Sequence, residues 1–77
     1  MEIEVFAVLK EYFPATFRVE TDIPGVAALK KHLAAMNPAS AGILESCRFA
    51  VGANLVGQEY VFDKNDIVAV LPPSSGG

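Results

Sequence analysis

The chain has 77 residues, 52% of them apolar and 19% charged, with a formal charge of −3. That length gives one domain, and its stability must come from packing or from a partner: the single Cys47 cannot form an internal disulfide, and no metal-ligand cluster is visible. Acidity without a basic cluster argues against nucleic acid as the main ligand, and no apolar run approaches the roughly 20 residues of a membrane span. The acidic start Met1-Glu2-Ile3-Glu4 does not resemble a signal peptide, so a soluble, cytoplasmic protein is expected, a compartment that suits a lone thiol.

The first element is a strand over Ile3 to Leu9, with Ile3, Val5, Ala7 and Leu9 alternating with Glu4, Phe6 and Val8. Pro14 interrupts the connection that follows. Ala15 to Glu20 alternate again, which makes a hairpin with a loop longer than two residues. The period then switches: Val26, Leu29, Leu33 and Met36 form one stripe of a helix, with Gly25 as N-cap and Asn37-Pro38 as its end. His32 on this helix has no second histidine and no cysteine at ligand spacing, so it reads as a surface or boundary side chain.

Residues 38 to 46 read as a loop holding a turn of helix. Arg48 to Val51 are a third strand, stopped by Gly52. Ala53 to Gly57 read as a turn region and Tyr60-Val61-Phe62 as a short strand. Asp63 to Asp66 form a tight turn, shaped rather than charged with an ion by its two aspartates, with Asn65 suited to a left-handed conformation. Ile67 to Leu71 are continuously apolar and β-branched, the pattern of a central strand covered on both faces.

This order predicts an α+β fold with a mixed sheet of four or five strands and one main helix across one face, the β-grasp layout, with the last strand beside the first. The domain spans residues 1–71, and residues 72–77 form a flexible tail. On the sheet face away from the helix, Phe6, Val8, Ala69 and Leu71 are the candidate partner-binding residues, because an apolar patch there needs a partner.

No self-contained active site is legible. One histidine supports no catalytic triad, Gly52 and Gly57 make no phosphate loop, and Cys47 sits in an apolar stretch that favours an inert buried thiol. What remains distinctive is the tail. Pro72 and Pro73 hold its base extended, and residues 72–77 reach about 20 Å when extended. Gly76 and Gly77 lack a Cβ, so the backbone can pass a narrow channel. The Gly77 carboxylate is ionised at neutral pH and a poor electrophile, so it needs activation, for example as an acyl-adenylate, before accepting a sulfur or amine nucleophile. The domain then reads as a carrier whose chemistry partners perform.

The run Asp66-Ile67-Val68-Ala69-Val70-Leu71-Pro72-Pro73-Ser74-Ser75-Gly76-Gly77 closely resembles the ending of the small subunit of molybdopterin synthase (MoaD-like proteins), and the resemblance extends over the whole chain. The wider group is the ubiquitin-like β-grasp sulfur carriers, including the thiazole-synthesis carriers (ThiS-like), which share the terminal glycines but usually lack the double proline. Gly52, Asn65 and Gly25 depart from the usual family residues.

The resemblance implies a protein that is not an enzyme on its own, binds no cofactor or metal, and carries sulfur as a thiocarboxylate on Gly77. Its partners would be an ATP-dependent adenylating enzyme (MoeB-like) and the large synthase subunit (MoaE-like). Pro72, Pro73, Ser74, Ser75 and Gly76 would lie in the partner channel while Gly77 delivers sulfur for the dithiolene of the molybdenum cofactor. A carrier for thiazole or sulfur amino acid synthesis, a ubiquitin-like modifier of lysines and a non-covalent interaction domain are the alternatives.

Overall fold

The computed structural model describes residues 1–73. Strand β1 (Glu2–Val5) is followed by a 3-10 turn (Ala7–Glu11), β2 (Thr16–Arg18), helix α1 (Val26–Met36), a 3-10 turn (Pro38–Ser40), the short helix α2 (Ala41–Leu44), β3 (Arg48–Val51), β4 (Asn54–Val56) and β5 (Ile67–Leu71). The strands form one five-stranded sheet in the order β2-β1-β5-β3-β4. Strand β5 runs parallel to β1 and antiparallel to β3, so the last strand lies at the centre beside the first, as expected of a β-grasp fold.

Alternation along the strands decides which side chains meet the helix. Ile3 and Val5 of β1, Val68 and Val70 of β5 and Phe49 of β3 are buried. They pack with Val26, Leu29 and Leu33 of α1 and with Leu44 in one cluster. Burying a side chain of this size contributes about 1.5–3 kcal/mol, so this single layer between sheet and helix holds most of the stability. Phe13 and Phe17 stack at 5.8 Å near the β2 edge and extend the core there.

Helix α1 has the bounds that its spacing predicts, with Gly25 as N-cap and Asn37 as C-cap. Gly25 offers no capping side chain; its value is space, since a Cβ there would sit 3.3 Å from the Tyr60 carbonyl oxygen. Asn37 ends the helix in an extended conformation. Its side chain accepts from the Ala39 N–H at 3.1 Å and donates to the Tyr12 carbonyl at 3.1 Å. Met36, placed on the apolar stripe by its spacing, is half exposed because the core ends one turn earlier.

Four sequence expectations are corrected. Strand β1 stops at Val5, because Ala7 takes φ 53° and turns the chain into a 3-10 turn whose buried residue is Leu9. The short strand is Asn54–Val56 rather than Tyr60–Phe62. It follows Gly52, whose φ of 63° makes the tight hairpin from β3, while Phe62 is tied by its N–H to the Pro24 carbonyl at 2.9 Å. Asn65 is not left-handed: Ala7 alone among the described non-glycine residues has positive φ. Strand β5 is covered on one face only, with Ile67 50% exposed.

Candidate functional site

Strand β5 is launched by the Asp63–Asp66 turn. The Asp66 carboxylate accepts from the Asp63 N–H at 2.8 Å and from the Tyr60 hydroxyl at 3.0 Å, and Asp63 accepts from the Asn65 N–H at 2.8 Å. The Asp66 carbonyl receives the Glu2 N–H at 3.1 Å, which ties the turn to β1. Both aspartates therefore shape the turn, as their spacing suggests. The hydrogen bond to Asp66 is the main reason the Tyr60 hydroxyl holds its proton more tightly than usual, followed by burial and the charges of Asp66 and Asp63.

From that fixed start the strand register builds the sheet face away from α1. Ala69 lies opposite Glu4 on one side and Ala50 on the other, and Ala50 lies opposite Leu55 of β4. Leu71 lies opposite Arg48. Val5 pairs with Val70, and Phe6 continues β1 in extended conformation beyond it, so its side chain falls on the outer face toward Leu71. Ile67, Ala69 and Leu71 form an apolar spine, with Phe6 on the β1 side and Ala50 and Leu55 on the β3 side. Phe6 is 41% exposed and Leu55 57% exposed. Ala50 is buried yet stands outside the core cluster around α1, as its place on the opposite face requires.

Of the four residues singled out for this face, Phe6, Ala69 and Leu71 share it. Val8 lies beyond the end of β1, exposed on the 3-10 turn. Leu55, Ala50 and Arg48 are neighbours that the sequence reading missed. The available signal was Gly52: a glycine turn after Val51 brings Asn54–Val56 back alongside β3 as a hairpin.

The chain leaves this face from the end of its central strand. Leu71 is followed by half-buried Pro72 and exposed Pro73. Ser74, Ser75, Gly76 and Gly77 lie outside the described residues.

The remaining chemistry among the described residues is sparse. No group of three or more His, Cys, Asp or Glu side chains could hold a metal. Burial pushes the Cys47 thiol up, partly offset by the Lys30 ammonium, and its Sγ donates to the Ile43 carbonyl at 3.3 Å. Such a thiol is a poor nucleophile. His32 is half-buried on α1. The one ion pair among these residues, Arg18 to Glu20 at 3.3 Å, is exposed and contributes little. No helix among the described residues is long and apolar enough to cross a membrane. The arrangement is a presenting surface beside a chain exit.

The crystal structure of SAMP1 from Haloferax volcanii is similar in fold, with a TM-score of 0.77 at 23% identity over 99% of this chain and 97% of that one. No curated protein matches the sequence. The ThiS family matches over residues 3–77, strands and tail alike. The chain belongs to the ThiS family of ubiquitin-like sulfur carriers.

Proposed function

We propose that this protein is the sulfur-carrying small subunit of a molybdopterin synthase. The observation that carries the reading is a central strand, Ile67–Leu71, that ends at the rim of an apolar sheet face and passes directly into Pro72-Pro73-Ser74-Ser75-Gly76-Gly77. The double proline favours the synthase branch over a thiazole carrier. Family membership supports a carrier role rather than catalysis by the domain itself.

The chemistry follows from the carboxylate. An oxygen of the Gly77 carboxylate attacks the α-phosphorus of ATP on an adenylating partner, pyrophosphate leaves, and the acyl-adenylate is an electrophile where the carboxylate was not. A sulfide-level nucleophile then displaces AMP to give the thiocarboxylate. No cofactor is bound by the carrier, and ATP belongs to the partner. The large synthase subunit receives the tail, with Pro72 to Gly76 in its channel, and the thiocarboxylate sulfur becomes the nucleophile for dithiolene formation. Prolines at the tail base lower the entropy lost on insertion. Phe6, Ala69 and Leu71 supply the docking face, with Val8 beside it.

Turnover with a molybdopterin synthase large subunit, using chemically thiocarboxylated protein and the pterin precursor, tests the assignment. Dithiolene formation is expected. A thiocarboxylated protein that gives no product here but supports thiazole synthesis would move it to that pathway, and lysine-linked adducts in extracts would favour the modifier reading.

A further inference from the structure

We infer that the free carrier pairs with a second copy of itself through the outer sheet face, on a two-fold axis running along β5. This goes beyond the carrier reading, because it concerns the protein when no partner covers that face.

The inference rests on how charge is distributed across the face. Its midline is the apolar spine Ile67, Ala69 and Leu71, of which Ile67 is 50% exposed. On one side β1 contributes the carboxylates of Glu2 and Glu4 before Phe6. On the other, β3 contributes Arg48 and Ala50. Glu4 and Arg48 make no ion pair among the described residues, where the single pair is Arg18–Glu20. Arg18 of β2 lies opposite Glu2 on the same face, so Glu4 is the carboxylate without a cross-strand cation, and the two flanks differ in that Glu4 and Phe6 stand on one side and Arg48 on the other.

Face-to-face association by a two-fold along β5 exchanges those flanks. Ile67, Ala69 and Leu71 then meet their own copies along the axis. In the register, Phe6 and Arg48 flank Leu71, while Glu4 and Ala50 flank Ala69. Phe6 therefore falls opposite Arg48 of the second copy, a cation over an aromatic ring. Glu4 falls opposite the small Ala50 of the second copy, one row from the same guanidinium. The spine contacts are apolar on apolar, Arg48 lies over the Phe6 ring and within a row of Glu4, and each of these flank contacts occurs twice. The alternative axis, perpendicular to the strands, sets Phe6 against Glu2 and Arg48 against Gly52, which wastes both groups. Two copies of one twisted sheet pack aligned at about 30°, which a tilt of β5 by about half that angle from the axis provides.

Five strands at about 4.8 Å spacing give a face about 24 Å wide. Two such faces bury on the order of 1,000 Å² in total, at the low end for specific association. The dimer is therefore weak, and a partner with a larger interface displaces it.

Charge swaps test the pairing in sedimentation velocity on the full chain across a concentration series. Wild type is expected to show a reversible monomer–dimer equilibrium. Glu4→Arg and Arg48→Glu alone each weaken self-association at least tenfold, because each sets like charges against each other. Mixed together the two variants form a heterodimer. The Glu4→Arg site of one chain then faces the Arg48→Glu site of the other, and the native Arg48 of the first faces the native Glu4 of the second. Circular dichroism of each variant shows that the fold is kept. Wild type that stays monomeric up to millimolar concentration overturns the inference, and so does a mixture that associates no better than either variant alone. Neither result touches the sulfur-carrier reading, which is tested by turnover of the thiocarboxylated protein.

Discussion

Two isoleucines in neighbouring strands separate the core from the free face, and truncating each to alanine measures the difference. Ile3 of β1 is fully buried at 0% exposure, whereas Ile67 of β5 is 50% exposed. Ile3 lies opposite Val68 and Ile67 opposite Glu2, so the two sites share the same ladder and differ in which face they occupy. Ile3→Ala removes a side chain closed in by the α1 layer, so transfer and cavity costs add to about 2–5 kcal/mol. Ile67→Ala loses only the half of the side chain already covered. With about 1.5–3 kcal/mol for full burial, that is about 1 kcal/mol, and no cavity forms because nothing closes over the site. At about 4–8 °C per kcal/mol for a domain of this size, Ile67→Ala lowers the melting temperature by a few degrees and Ile3→Ala by well over ten. Urea titration of both variants against wild type reads the same ordering as shifts in midpoint with little change in slope. Equal losses at the two positions would refute the assignment of one free face, because Ile67 would then have to be covered within its own chain.

Gly52 carries φ 63° with open space where a Cβ would sit. Gly52→Ala therefore costs about 1 kcal/mol through the backbone alone, and a change near zero in chemical denaturation would contradict the turn geometry. Ala7 shows the converse at φ 53°: Ala7→Gly leaves the melting temperature unchanged or raises it, while the β-branched Ala7→Val lowers stability by about 1–2 kcal/mol. Burial raises the Cys47 thiol from its ordinary 9.0, and the hydrogen bond to Asp66 raises Tyr60 from 10.0. A group raised on folding contributes stability that is complete below its unfolded pKa and lost as pH rises through the folded one. Stability thus declines above about pH 9, more gently in Cys47→Ala/Tyr60→Phe; an unchanged alkaline slope in that double variant would count against both shifts. Deleting Gly77 abolishes sulfur transfer without moving the melting temperature by more than a degree or two, and a large drop would mean that the tail contributes to the fold.

Much of the fold is legible in the sequence wherever one period dominates. Val26, Leu29 and Leu33 fix α1, and Asn37-Pro38 fixes its end, because no other conformation buries that stripe. The centre of the sheet is legible for a related reason: five consecutive apolar residues at 67–71 have no place at an edge. The same run misleads about coverage. A strand reads as continuously apolar whether its second face meets its own chain or another molecule, so the run alone does not say what covers Ile67.

Short elements were harder to place because their signals are shared. Ala7, Val8 and Leu9 continue the alternation of β1, yet a 3-10 turn that buries only Leu9 produces the same pattern. Tyr60-Val61-Phe62 has strand composition, but its two rings pack edge to face at 5.5 Å and the segment is held by the Pro24 carbonyl. Asn54–Val56 is a three-residue edge strand whose composition resembles the turn beside it. For the candidate site, tail composition pointed to the exit and the helix stripe to the covered face. Leu55 and Arg48 depended on tertiary register, which sequence does not specify.

The central claim is that Gly77 carries sulfur, and the mass of the C-terminal peptide tests it most directly. The full chain is incubated with an adenylating enzyme of the family, ATP and sulfide, then digested and compared with a sample lacking ATP. The account predicts replacement of one oxygen by one sulfur, confined to the peptide ending Pro72-Pro73-Ser74-Ser75-Gly76-Gly77 and absent without ATP. An unmodified Gly77 under conditions where a known carrier is converted, or sulfur found on Cys47 instead, would contradict it.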